Sequence, residues 1–329
     1  MLIAEDLLSR HHINLTRARL VIAHEIEIAC INDRWEVVAV NTQRQGIIGR
    51  LLRLPGRRSN SVVDFAQIEP FVGHVPSARL RIPYRKLAKL HPAQIADLVE
   101  QASHEEGEEI IEAVGHDREL EADVFEELDT EHQLEFLEAR SDEEAARLLS
   151  RMEPDNAADL ISEVEQERRL PILESLPHEQ QSKVRQLLEY NADTAGGLMS
   201  PDFVTVGDDQ TVGAALEAVR TSSAATEALN TVFVIDATGQ PVGSVTVATL
   251  VRSHESEPVL AVSRTTVEHV HPHWEVHRVA RRMSDFNLTV VPVVDDEHAV
   301  MMGVITVDDL LEEMLPQGWR AEYGVGAEQ

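Results

Sequence analysis

Hydrophobic positions along this chain fall into three regimes. Up to about residue 80 they come in short β-branched runs: residues 19–31 are dense in apolar side chains, and WEVVAV (35–40) reads as a strand. Asn32-Asp33 supplies the turn between them, residues 46–54 and 61–65 give two further short strands, and Gln67-Ile68-Glu69-Pro70 closes the unit. Short strands with polar turns predict a small barrel or sandwich.

From residue 90 to 190 the period becomes helical. PAQIADLVEQA (92–102) echoes PDNAADLISEV (154–164), with apolar clusters between them at 108–114, 121–128, 132–139 and 143–152. Two more follow at 168–176 and 183–190, and Asp129, Ser141 and Asp155 are the candidate N-caps. Helices this short do not stand alone in water, so they must stack, which predicts a small α-superhelix with acids on its outer faces.

The last regime repeats itself. VFVID (232–236) followed by GQPVGSVT ending at Thr246 returns as VPVVD (291–295) followed by MGVIT ending at Thr306, with Gly243 and Gly303 sixty residues apart. Each copy runs into an apolar helical segment, and amphipathic stretches at 212–219 and 276–283 complete the alternation of strand and helix. A tandem repeat of this size predicts two similar α/β lobes related by a pseudo-twofold axis. The fold class expected is therefore multidomain α+β: a small β-barrel-like start, an α-superhelical domain of short helices, and an α/β pair. Its boundaries are 1–82, 88–192 and 193–315, with lobes at about 199–253 and 261–315 and a tail at 316–329.

Charge sharpens this picture. The net charge of −29 is uneven: residues 1–90 hold 14 Lys/Arg against 8 Asp/Glu, whereas residues 97–169 hold 26 Asp/Glu against 6 Lys/Arg. Repulsion on that scale opposes compaction unless cations screen it. A solvated helical surface is the plain reading, and a divalent-cation sensor the sharper one. The single cysteine, Cys30, excludes an intramolecular disulfide and suits a reducing compartment. No leader-like segment opens the chain, and no apolar run approaches the roughly 18 residues a spanning helix needs. The expected location is the cytoplasm, with no membrane insertion.

With its motifs in order, the chain resembles known families. Acidic short helices, then DTAGGLMSP (193–201), then a repeat ending GVITVDDLL (303–311), resemble the cytosolic half of the MgtE family of magnesium channels: an N-terminal superhelical domain followed by a tandem CBS pair. The linker AGGLM (195–199) is the most diagnostic stretch, and LTVVPVVD (288–295) the next. The likeness runs from about Leu90 to Leu315. Two departures stand out. That family continues from the CBS pair into a connecting helix and a membrane pore, whereas this sequence ends at Gln329 and carries Pro316-Gln317-Gly318, which predicts a helix end at Leu315. The first seventy residues are similar to a PRC-barrel module, with their DFAQIEP closure.

The resemblance implies magnesium ligands. Asp123, in EADVFEEL, stands where the family has a helix carboxylate; Asp155 and Asp159, in PDNAADL, match two acids of the next motif. On the CBS side Asp309 matches the second aspartate of TVDD, and Glu312 replaces an aspartate one turn later. The chemistry agrees, because Mg²⁺ takes oxygen ligands, commonly one or two carboxylates plus waters. Asp155 with Asp159 and Asp309 with Glu312 each share a helix face. The plain alternative for each is a cap or a first-turn acid stabilised by the helix dipole.

CBS pairs often bind adenine nucleotides through a ribose-holding aspartate after the closing strand. Asp309 occupies that place in the second copy, but Thr249 occupies it in the first, and Leu288 stands where the family has a stacking aromatic. ATP binding in the family's manner is therefore not expected.

Other signals carry less. His269, His271, His273 and His277 crowd one stretch, yet Pro272 breaks their alternation and no cysteine assists, so a polar loop before a helix is expected. The basic group Arg44, Arg50, Arg53, Arg57 and Arg58 lacks interleaved aromatics, and the acidic remainder repels nucleic acid. No nucleophile–base pair or phosphate loop appears, so no enzyme is expected. The sequence thus points to a homodimeric regulator that binds Mg²⁺ between its helical and CBS domains. Alternatives are a transporter subunit whose pore lies on another chain, a nucleotide sensor, or a protein-docking scaffold.

Overall fold

The computed structural model describes residues 8, 11–31, 34–42, 62–70 and 87–315. It divides into two compact units, with the boundary between Ala139 and Arg140.

The first unit begins with β1 (His11–Asn14), β2 (Arg19–Ile22), β3 (Glu25–Ile31), β4 (Arg34–Asn41), β5 (Val62–Asp64) and β6 (Ile68–Pro70). They form two antiparallel sheets, ordered β2-β1-β6 and β3-β4-β5. The apolar run expected at 19–31 is broken into β2 and β3 at Ala23, which is fully buried beside Val40, Val63 and Ile68. The expected strand at 46–54, the turn at 32–33, the arginine group and the tail after Leu315 lie outside the described residues.

Four short helices follow: α1 (Pro92–Glu100), α2 (His104–Val114), α3 (Arg118–Glu126) and α4 (Thr130–Glu138). Each start is written in the sequence. Ser103 and Glu106 form a reciprocal capping box for α2, and Asp129 accepts the His132 N–H for α4. His11 of β1 reaches Glu106 at 3.1 Å, which joins sheet to helix inside this unit.

The second unit holds α5 (Asp142–Leu149), α6 (Pro154–Glu163), α7 (Gln166–Ser175) and α8 (His178–Leu187), then both lobes. α5 packs on α7 and α6 on α8. Arg168 ties α7 to α5 through Asp142 at 2.8 Å and the Arg140 carbonyl at 2.8 Å.

The lobes are β7 (Thr205–Gly207), α9 (Val212–Thr221), β8 (Thr231–Ile235), β9 (Pro241–Thr246), α10 (Val247–Arg252) and α11 (Val259–Val262), then α12 (Val276–Phe286), β10 (Val290–Val294), β11 (Met301–Thr306) and α13 (Val307–Met314). Leu315 caps α13, where the sequence predicts the helix end. The repeat is internal symmetry in register as well as in letters. Gly243 pairs with Val234 and Gly303 with Val293, and each hairpin shifts register immediately beyond that pair. The hairpin tips match too: Asp236 accepts the Thr238 and Gln240 N–H groups, and Asp295 those of Glu297, His298 and Val300. Phe233 of the first lobe shares a buried cluster with Val290, Val294, Met301 and Val304 of the second, so the lobes have a common core.

The DTAGGLM stretch is the seam between α8 and the lobes. Ala195 and Gly196 donate to the Trp274 and Pro272 carbonyls, both at 2.8 Å, and Ser200 pairs in both directions with Val304 of β11. Gly303 is glycine because this seam crosses it: a Cβ there would lie 2.8 Å from the Ser200 carbonyl oxygen.

Candidate functional site

Two helix starts carry the candidate site. Pro154 at the first position of α6 fixes the turn for helix entry, and Glu153, not Asp155, is the N-cap. The expected capping role of Asp155 is thus corrected: it lies in the first turn and is only 7% exposed, and its Oδ1 has no hydrogen-bond partner among the described residues. Asp159 follows one turn later on the same side. At α13, Thr306 is the N-cap; its hydroxyl accepts the Asp309 N–H and donates to Asp309 Oδ2 at 2.6 Å.

The two starts act on one another electrostatically. Burial, then the charges of Glu153 and Asp309, holds the Asp155 carboxyl well above the usual carboxylate range. Glu153 is pushed up to about 7 by burial and then by Asp309, Glu227, Asp308 and Asp202. Asp309 rises through burial and the neighbouring Asp308 and Glu227, opposed by its Thr306 hydrogen bonds. A second pair lies beside the first: Asp159, which keeps an exposed edge on α6, rises to about 6 through partial desolvation and the charge of Glu313, then Glu163.

Of the five expected ligands, Asp155 feels the charge of Asp309, whereas Asp159, on the same side of α6, feels that of Glu313 on α13; all of these groups belong to the second unit. Glu312 lies in the same turn as Glu313, whose carboxylate is the one that acts on Asp159. Asp123 belongs to α3 of the first unit, where burial and Glu119, Asp117 and Glu127 raise its carboxyl. Glu153, Asp202, Glu227 and Glu313 were not singled out from sequence. Among the described residues no three His, Cys, Asp or Glu side chains are gathered tightly enough to hold a metal ion by themselves.

The two lobes differ at the ribose-holding position. Where Asp309 meets Thr306, Thr249 meets Thr246 hydroxyl to hydroxyl at 3.0 Å, so the first lobe has the same cap without the charge. Of the histidine-rich stretch, His269, His271 and His273 lie in the loop before α12 and His277 in its first turn: His271 Nδ1 is 3.0 Å from Asp296 and His273 Nε2 is 4.0 Å from it. Among the described residues no helix is long and apolar enough to cross a membrane.

Comparison with known proteins finds two families, the first of which runs across the boundary between Ala139 and Arg140. Residues 90–193 match the MgtE intracellular N domain, and residues 195–255 and 259–316 each match the CBS domain. The magnesium transporter MgtE of Thermus thermophilus is 31% identical over 147 residues, which cover 45% of this chain and 32% of that protein. The MgtE of Enterococcus faecalis is 29% identical over 134 residues, covering 40% and 29%. The chain thus matches about a third of the length of these relatives. Among solved structures, the cytosolic domain of the Mg²⁺ channel MgtE in complex with ATP superposes with a TM-score of 0.63 at 26% identity, covering 70% of this chain and 93% of that one. The soluble part of a magnesium transporter gives 0.63 at 23% identity, covering 70% and 89%.

Proposed function

Because the chain carries an MgtE intracellular N domain and a tandem CBS pair, homologous to the cytosolic domain of MgtE magnesium transporters, we propose that it senses Mg²⁺ at the junction of α6 and α13. The observation that carries this is Asp155: a buried carboxylate oxygen with no partner among the described residues, within reach of the charge of Asp309. A buried carboxylate oxygen left without a partner is costly, and a cation is what would satisfy it. The donor set suits magnesium: hard oxygens, few of them from protein, and room for waters to complete the octahedron.

Asp155, Asp159 and Asp309 are the proposed ligands, with Glu312 on the same helix as Asp309. Bound magnesium would supply two positive charges that offset the repulsion between the two helix starts. Without it the junction carboxylates repel and loosen the contact; with it they hold α6 against α13. The affinity difference between tight and loose states drives the change. Titration of Mg²⁺ by calorimetry and small-angle scattering tests this. Heat uptake and compaction in the wild type, both lost in Asp155→Asn, are expected; unchanged dimensions and no heat in the wild type would refute it.

The relatives are membrane transporters, and this chain spans a third of their length. The same sensing step therefore suits a gating part whose pore lies elsewhere, and co-purification with a membrane protein separates that reading from a free-standing regulator. A homodimer through the CBS pair is proposed from its exposed apolar residues, Val251 (68% exposed), Phe286, Leu311 and Met314. Phe286 ends the basic α12 and Leu311 and Met314 lie on the acidic α13, complementary surfaces that a second copy would pair. The matching families are transporter and CBS domains rather than enzyme families, and no catalysis is proposed. ATP is part of the complex solved for the MgtE domain; here Thr249 and Leu288 argue against binding it in that way.

A further inference from the structure

Where α8 gives way to the CBS pair, one ammonium group sits among acids. Lys183 Nζ is 2.7 Å from Asp202 Oδ1, with side chains only 22% and 26% exposed. Its other partner, Glu179 at 3.0 Å, is 83% exposed and therefore weakly coupled. Asp202 is held in place: its N–H donates to Ser200 Oγ, and Ser200 is paired in both directions with Val304 of β11. One turn before Lys183, Gln180 Nε2 donates to the Met152 carbonyl at 3.0 Å, immediately ahead of Glu153. The same face of α8 thus grips the start of α6 with Gln180 and the entrance of the CBS pair with Lys183.

Asp202 is also one of the charges that act on Glu153. We propose that Lys183 is a resident counterion of the acidic junction: it ties α8 to the entrance of the CBS pair without any metal and leaves the divalent cation only the α6–α13 gap to close. The second half of this statement rests on the magnesium reading above; the first half does not. A fixed ammonium cannot be withdrawn as a metal can, so this side of the junction stays closed at all magnesium levels. Neutralising it would also return the Asp202 charge to an already repulsive group.

The test is amide hydrogen exchange across residues 180–204 of the full chain, first in a metal chelator. Lys183→Met is expected to speed exchange there about tenfold, the scale of one lost charge-assisted hydrogen bond, and Lys183→Arg to leave it near wild type. Asp202→Asn, which leaves α8 unaltered, is expected to loosen the same segment, so a helix defect in the lysine variant does not decide the outcome. Exchange in Lys183→Met and Asp202→Asn indistinguishable from wild type would overturn the proposal. Millimolar Mg²⁺ is then added: slowed exchange in Lys183→Met supports both halves. Loosening in chelator with no magnesium effect in any variant would sustain the counterion and sink the magnesium reading.

Discussion

Gly196 lies directly under the ring of Tyr190: a Cβ on the glycine would come within 2.4 Å of the tyrosine Cγ and 2.5 Å of its Cδ1. The clash is with the near end of the side chain, so the whole ring would have to swing away. Gly196→Ala is therefore expected to destabilise the second unit by about 1–3 kcal/mol, the usual cost of overpacking. Thermal denaturation checks it, and the effect should shrink in a Tyr190→Ala background, where nothing opposes the methyl group. Equal losses in both backgrounds would place the strain elsewhere.

Asp155→Asn separates charge from shape. In chelator at neutral pH the variant is expected to be more stable than wild type by about 1 kcal/mol, since the folded state no longer has either to ionise or to keep protonated a carboxyl that burial and neighbouring charges hold above its usual range. In excess Mg²⁺ the order should reverse, because only the wild type gains from the ion. Paired melting curves with and without Mg²⁺ provide the comparison; a variant less stable in both conditions would show that the carboxylate is satisfied by the protein alone.

The pH dependence has a definite sign. Glu153 and Asp159 are raised to about 7 and about 6 in the folded state, and Asp155 and Asp309 are raised as well. The folded state thus holds protons more tightly than the unfolded chain, so stability should fall as pH climbs from about 4, where these groups titrate when unfolded, through about 7. Part of the junction is open to solvent, so the total is on the order of 1–2 kcal/mol after screening. Asp236 and Asp295 act the other way: hydrogen bonds at their hairpin tips hold both carboxyls low, so their contribution is lost at acid pH. Chemical denaturation across this range in chelator should show the decline, and millimolar Mg²⁺ should flatten it.

Local signals carried much of this structure and failed where geometry was non-local. Helix starts were legible because capping is a matter of three or four consecutive residues, as at Ser141 and Asp129. The hairpins of the lobes were legible because their pattern occurs twice. Asp155 was misjudged as a cap candidate because an acid after a proline looks the same whether it caps or is buried. Glu153, Asp202 and Glu227 were missed for a plainer reason: they come from three separate segments and meet only through tertiary packing. Glu313 was passed over because the resemblance places Glu312 where the family has an aspartate, and nothing in the sequence shows which of the two acts on Asp159. Lys183 was legible only as the start of an apolar cluster, since its partner lies across the domain seam.

The two lobes offer an internal control for the role of the capping threonine. Thr306 accepts the Asp309 N–H at the start of α13 and also donates its own hydrogen to the Asp309 carboxylate, whereas Thr246 accepts the Thr249 N–H at the start of α10 and meets only another hydroxyl. Thr→Ala at either site removes an N-cap worth about 1 kcal/mol. At Thr306 it also releases a carboxylate that the hydroxyl holds toward its ionised form. Thr306→Ala is therefore expected to lower the melting temperature more than Thr246→Ala in chelator, and to weaken the Mg²⁺ response, which Thr246→Ala should leave intact. Equal Mg²⁺ responses in the two variants would show that Asp309 does not depend on Thr306 for its place in the junction.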